Sequence, residues 1–301
     1  MPSQAEIREA VTNQIIAALQ QGVLPWCKPW SALANTGHPM NAVSGNLYKG
    51  VNPLLLQLAA DERGYQSRFW ATYRQWSSVG GQVKKRPAGV PPGQWGTTII
   101  LWKPVTKIEK DKNGNEHEKS FPLLRQYVVF NVEQVEGVAV ERFRVHPPAA
   151  QGVINYGPAE EVIAATGADI RHLPCDKGCY FLPPRDYIQL PLKSQFETPA
   201  AYYDTAFHEL THWSEGRLGW TGSYALGELR AELGAAFLTA AVGIPQADGG
   251  LRNVAAYIGS WIEAMQADHR VIFQVSSAAG KACDFILSFS RGQQPDEAAA
   301  A

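Results

Sequence analysis

Cysteine is scarce: Cys27, Cys175, Cys179 and Cys283 are the only four in 301 residues. So sparse and uneven a set excludes a disulfide-stapled secreted scaffold and suits a reducing compartment. Long apolar runs are also missing. No stretch approaches the ~20 residues that a membrane span requires, so no membrane partner is expected. The opening MPSQAEIREAVTNQ is polar and contains acids, unlike a secretion signal, and a cytoplasmic location is expected. No internal repeat is visible. Cys175 and Cys179, with His172 nearby, lack a second ligand pair and read as two buried thiols rather than a metal knuckle.

Net charge is almost absent, at −1, but it conceals a split. Residues 1–130 carry 15 Lys+Arg against 8 Asp+Glu (15 − 8 = +7), and residues 131–301 carry 12 against 20 (12 − 20 = −8). Such asymmetry points to two domains with different partners, the basic one suited to a polyanion. Six of the nine tryptophans (Trp26, Trp30, Trp70, Trp76, Trp95 and Trp102) lie in that basic half.

Along the chain, Ser3 and Glu6 form a capping box before an amphipathic helix bearing Ile7, Val11, Ile15, Ala18 and Leu19. Pro53 opens a second helix, Leu54 to Arg63, closed by Gly64, and Thr72 caps a short third one through Trp76. Residues 97–109 and 117–131 read as two strands of a hairpin turning at Asn113–Gly114. The expected layout is a first domain over 1–136, a linker over 137–152, a second domain over 153–290 and a disordered tail over 291–301. In the second domain, residues 157–166 read as a short helix. YFLPPRDYIQLP reads as a strand interrupted by two prolines, which confines that part to an edge or a bulge. Thr198–Pro199 then starts a helix to about Glu215, and three further helices cover about 224–242, 250–267 and 269–289.

The strongest chemical signal is AFHELTHW, in which His208, Glu209 and His212 form H-E-x-x-H. On a helix, residues four apart share a face, so the two imidazoles can grip one zinc ion while Glu209 serves as general base. Manganese is the alternative metal. A third ligand is required. Glu228 and Glu232 lie one turn apart on a later helix. Glu232 is the expected ligand because it leads into small and apolar residues, which suits a carboxylate in a packed cleft. Glu228 then orients a histidine, with Asp204 competing for that task. Tyr224 and Arg217 read as packing or surface residues rather than oxyanion partners.

In the basic half, aromatic and cationic residues alternate as a single-stranded nucleic acid site would need, bases stacking while phosphates lie on positive charge. The candidates are Tyr48–Lys49, Trp70, Arg74 and Trp76, and the run Lys84–Lys85–Arg86.

The order PWCKPW, SGNLYKGVN, FWATYRQWSSVGGQVKK and YVVFNVEQVEG resembles the N-terminal domain of the ArdC antirestriction proteins. YFLPPRDYIQLP, AYYDTAFHELTHWSEGRLGW and ELRAELGAAFL resemble the zincin-like metallopeptidase domain attached to it. The resemblance spans about 5–290 and departs from the family pattern at KKRPAG and SEGRLGW. It implies an α+β fold of two domains: an α/β domain with a β-hairpin that binds single-stranded DNA, and a mainly helical zincin-like domain. It also implies a plasmid-borne protein that shields incoming DNA from restriction during conjugation. Within that resemblance, His208, His212 and Glu232 are the zinc ligands and Glu209 the catalytic glutamate. Primase-associated conjugation proteins share the N-terminal domain. Two other readings compete: a regulatory peptidase that cuts a host repressor or restriction component, its substrate unspecified, and a DNA-binding module with structural zinc. A general base at Glu209 has no use in the latter.

Overall fold

The computed structural model describes residues 2–26, 38–110, 116–137, 143, 156–174, 178–244 and 250–292. The expected linker (apart from Gly137 and Phe143), the hairpin turn, Cys175 and most of the expected tail lie outside these residues.

Helix α1, Gln4–Gln20, begins at Ser3, whose side chain accepts the Glu6 N–H while the Glu6 carboxylate accepts the Ser3 N–H. Strand β1, Met40–Asn41, is followed by helix α2, Asn52–Arg63, which ends on Gly64 in the left-handed region (φ 71°). A residue with a Cβ is disfavoured there. Strand β2, Phe69–Thr72, feeds helix α3, Tyr73–Ser78, through a capping box made by Thr72 and Gln75. Strand β3, Gln82–Val83, leads to the long hairpin of β4, Thr97–Lys110, and β5, Glu116–Asn131. Strand β6, Val135–Glu136, returns to pair with β3. The main sheet runs β1-β2-β5-β4. Asn52 locks α2 to its edge by bonding both the carbonyl and the N–H of Ile100, each at 2.7 Å.

The second half starts with α4, Gly157–Ala165, and strand β7, Asp169–His172. The segment read as one interrupted strand is instead two: β8, Tyr180–Leu182, and β9, Tyr187–Leu190, antiparallel to each other. Pro183 and Pro184 hold φ where a 3-10 turn needs it, and Asp186 completes the reversal at φ 51°. The sheet order is β7-β9-β8, which leaves β8 at an edge among the described strands. Four helices complete the half: α5, Pro199–Trp213; α6, Tyr224–Val242; α7, Gly250–Ala267; and α8, Val271–Ser290. None of the described helices is long and apolar enough to cross a membrane.

The two halves share a core. One apolar cluster joins Ile7, Val11 and Ile15 of α1, Leu54 of α2 and Ile100 of β4 to Phe207 and Leu210 of α5, Leu233 of α6 and Ile286 of α8. Thr12 of α1 donates to the His269 carbonyl between α7 and α8 at 2.9 Å, while Gln4 bonds both backbone groups of Leu124 in β5. Helix α1 thus ties the hairpin to the helical half. A smaller cluster of Tyr48, Leu56, Tyr65, Trp70, Ile99 and Val129 fills the space around the main sheet.

Candidate metal centre

Helix α5 starts where the Thr198 hydroxyl accepts the Ala201 N–H and Pro199 supplies a preset φ. Its inner face, including Tyr203, Ala206, Phe207 and Leu210, is buried without remainder. Helix α6 crosses it very closely. A Cβ built on Gly234 would lie 2.5 Å from the Thr211 side chain, and one on Gly227 would lie 3.2 Å from Glu215 Oε1. These two glycines, seven apart, mark the stripe of α6 that meets α5. Glu228 and Glu232 sit on the adjoining stripe and reach the histidines.

The imidazoles of His208 and His212 face one another, Nε2 to Nε2, at 3.2 Å. Glu228 presents its two oxygens to them, at 3.5 Å from His208 Nε2 and 3.7 Å from His212 Nε2. Glu232 lies behind, 3.2 Å from His208 Nδ1, and Glu215 lies 3.0 Å from His212 Nδ1. Carboxylates on both Nδ1 atoms favour protons there, which leaves lone pairs on both Nε2 atoms. Two lone pairs and a carboxylate would then converge on one spot in a largely buried setting. That arrangement is unfavourable unless positive charge occupies the centre, as a metal ion or, in its absence, a proton on His208. His208, His212 and Glu228 offer atoms all within 4.8 Å of one another, and the donor set fits a divalent ion.

The two glutamates of α6 therefore stand in the reverse of the expected places: Glu228 faces the shared Nε2 centre, and Glu232 holds the back of one ring. Glu215 was not anticipated, although its position three residues after His212 was a readable signal. Burial opposes charge on His208, but Glu228 and Glu232 outweigh it and push its pKa well above 6.5. Burial likewise works against the Glu228 carboxylate, yet His208, His212 and Tyr224 hold its pKa below the usual value.

Glu209 is buried, and burial raises its pKa against the pull of His208 and His212. The Phe181 backbone of β8, an edge strand among the described strands, lies beside its carboxylate and favours the charged form. Asp204 is pushed up to about 7 by burial and by neighbouring Glu232, against the pull of His208. Tyr224 is 72% exposed, bonds the Tyr257 hydroxyl at 3.2 Å and neighbours Glu228. Arg217 points elsewhere, stacking over Trp213 and pairing with Asp186 at 2.7 Å. His172 bonds the Tyr202 hydroxyl at 3.0 Å, and Cys179 is half-buried.

This geometry agrees with the comparisons. Residues 5–130 match the model of the N-terminal domain of anti-restriction factor ArdC, and residues 157–278 match that of a zincin-like metallopeptidase. The crystal structure of metal-free antirestriction ArdC from plasmid R388 is 33% identical with a TM-score of 0.77, covering 95% of this chain and 98% of that one. The chain belongs to the ArdC antirestriction family. The Mn(II)-bound R388 ArdC structure is 32% identical with a TM-score of 0.73, covering 95% and 99% of the two chains. Protein y4eC of Sinorhizobium fredii is 32% identical over 97% of this chain and 95% of its own length. A DNA primase TraC of Escherichia coli is 35% identical over 95% of this chain, which spans only 27% of that primase. The ArdC membership accounts for both halves of the molecule and implies a metal in the second.

Within the ArdC N-terminal domain, the expected base-stacking residues are core. Trp70 is 1% exposed, Trp76 is fully buried with its indole N–H on the Phe130 carbonyl, and Tyr48 is buried with its hydroxyl on the Trp70 carbonyl. None has a ring face free for a base. The cations divide. Lys49 pairs with Asp284 of α8 at 2.6 Å, Lys84 donates to the Glu133 carbonyl and Arg86 to the Val90 carbonyl. Arg74 and Lys85 are exposed. Among the described residues, the exposed large aromatics of this half are Tyr73, Trp102 and Tyr127, which composition could not separate from the buried ones.

Proposed function

We propose that this protein binds single-stranded DNA without sequence preference and shields incoming plasmid DNA from host restriction during conjugation, acting in the cytoplasm. We further assign its second half as a zinc-dependent peptidase, with residues 1–136 and 153–290 as the two domains. Antirestriction membership, the +7 balance of residues 1–130 (15 − 8) and the exposed Arg74, Lys85 and Tyr73 support the DNA reading. Convergence of His208, His212 and Glu228 beside a buried Glu209 carries the peptidase reading.

In this reading His208, His212 and Glu228 hold the ion, while Glu232 and Glu215 fix the two rings. When bound, zinc or manganese supplies Lewis acidity to a scissile carbonyl and to the attacking water. Glu209 takes the proton of that water and passes it to the leaving amine. Its burial raises its proton affinity toward the range such a shuttle needs. Strand β8, at an edge among the described strands and beside Glu209, can add an extended peptide as a further strand.

Glu209→Gln separates the two activities. It should abolish peptide cleavage and leave oligonucleotide affinity and metal content unchanged. If the variant still protects plasmid DNA during transfer, coating of the strand is the mode of action. If protection is lost with DNA affinity intact, the protein works by cutting a host factor. Absence of single-stranded DNA binding at low salt would overturn the DNA reading.

A further inference from the structure

A second concave site lies away from the metal. It is a cavity of about 470 Å³ where α1, β4, the loop after α5 and the first turns of α8 meet, and none of the metal-site residues lines it. That volume falls within the ~300–1,000 Å³ range of small-molecule pockets. Its lining carries Arg8, Arg230, Arg270 and Lys281 and no described acidic residue, although Arg270 pairs with Asp268 at 2.8 Å just outside it and Arg230 lies 3.8 Å from Glu215. Trp102, half exposed with Arg8 over its ring at 5.8 Å, forms one flat wall, and Trp220 contributes another.

Behind the cavity wall, two buried donors lack acceptors. Arg230 is 1% exposed and gives its terminal nitrogens to the Thr211 carbonyl and Ser214 hydroxyl, but its Nε is unpartnered. The buried indole N–H of Trp220 is unpartnered as well. Both residues line the cavity. The start of the 20-residue helix α8 adds its positive dipole end to the same space.

Flat aromatic walls with a cationic, donor-rich interior match the chemistry of a nucleotide. We propose that this cavity seats one unpaired nucleotide of a single DNA strand, its base against Trp102 and its phosphates on Arg8, Arg270 and Lys281. The proposal rests on the DNA reading above and moves its centre from the N-terminal half to the seam between halves. It also brings the strand near the metal, because Arg230 lies 3.8 Å from the Glu215 carboxylate that holds His212.

The test uses the full chain and an oligothymidylate carrying 5-iodouracil, photo-cross-linked and mapped by peptide mass spectrometry. Attachment at Trp102 or Trp220 is expected. In parallel, Arg270→Gln with Lys281→Gln removes two phosphate contacts from exposed side chains. Its log–log salt slope should flatten by about 1.4 (2 × ~0.7) and its affinity should fall about tenfold or more at low salt. An unchanged melting temperature shows that the fold is intact. Cross-links confined to Tyr73 or Tyr127, with an unchanged salt slope, would overturn this site and leave DNA binding standing. Equal competition by duplex DNA or by polyglutamate would also overturn it, since neither offers an unpaired base. No binding of the oligonucleotide by the wild type would remove the DNA reading and this site together.

Discussion

Replacing Glu228 and Glu232 one at a time separates a ligand from a residue that steadies a ligand. Glu228 faces both Nε2 atoms, at 3.5 and 3.7 Å, whereas Glu232 touches only the Nδ1 of His208, at 3.2 Å. Loss of an orienting partner costs ~10–100-fold in metal affinity, or about 1.4–2.7 kcal/mol. Glu232→Ala should fall in that window, and Glu232→Gln should lose less than ~10-fold because the amide oxygen still accepts the Nδ1 proton. Glu228→Gln removes the one anionic donor at the centre and leaves two neutral imidazoles, so its loss should exceed the ~100-fold ceiling of an orienting partner. The metal-free form of that variant should lose stability at neutral pH, because the carboxylate that His208, His212 and Tyr224 hold in its charged form has been removed. The assay is competition of the apo-protein against a chromophoric chelator, run with Zn2+ and with Mn2+. If Glu232→Gln loses more affinity than Glu228→Gln for both metals, the assignment drawn from these distances is wrong.

Three further outcomes are expected. Gly234→Ala gains up to ~1 kcal/mol of helix propensity but drives a methyl to 2.5 Å from Thr211; the overpacking cost of ~1–3 kcal/mol should win, lowering stability in urea unfolding and weakening metal binding, and adding Thr211→Ala should restore both. For Glu160, burial opposes the charge, but bonds from Lys193 and Tyr203 outweigh it and hold the pKa below 4.5; the stability it contributes is present above that value and lost as pH falls through the lower folded pKa. Glu160→Gln should therefore be less stable than wild type at neutral pH and equal to it in strong acid, as read by melting temperature across pH. Trp70→Ala should cost ~3–5 kcal/mol of stability, with any loss of DNA binding tracking the unfolded fraction, whereas the exposed Arg74→Ala should leave stability alone and flatten the salt slope by ~0.7.

What could be read from the chain is what one element decides by itself. The capping pairs Ser3–Glu6 and Thr72–Gln75, the Gly64 stop and the four-residue spacing of His208 and His212 each need only a local backbone, and each stands where expected. The YFLPPRDYIQLP segment went wrong because proline chemistry marks an interruption without saying whether the chain continues or reverses; Asp186 in the left-handed region settles it as a reversal. Tryptophan counts mislead for a similar reason. Composition reports how many rings exist, and only the sheet shows that Trp70 and Trp76 face inward while Trp102 does not.

The two glutamates show where local pattern stops. Helical periodicity puts Glu228 and Glu232 on one face, but which of them meets an Nε2 depends on how far α6 slides along α5. That register is fixed by contacts carrying no metal chemistry: Gly234 seated on Thr211, Gly227 leaving room for Glu215, and Arg230 reaching the Thr211 carbonyl. A shift of one helical turn, ~5.4 Å, would bring Glu232 to the centre and move Glu228 off it. The small residues of ELRAELGAA, read at first as the reason to favour Glu232, instead set the approach that selects Glu228. In this family member the carboxylate that faces the two Nε2 atoms is thus set by the absence of two side chains on the neighbouring stripe. Enlarging either glycine should disturb the metal before it disturbs the fold of the N-terminal half.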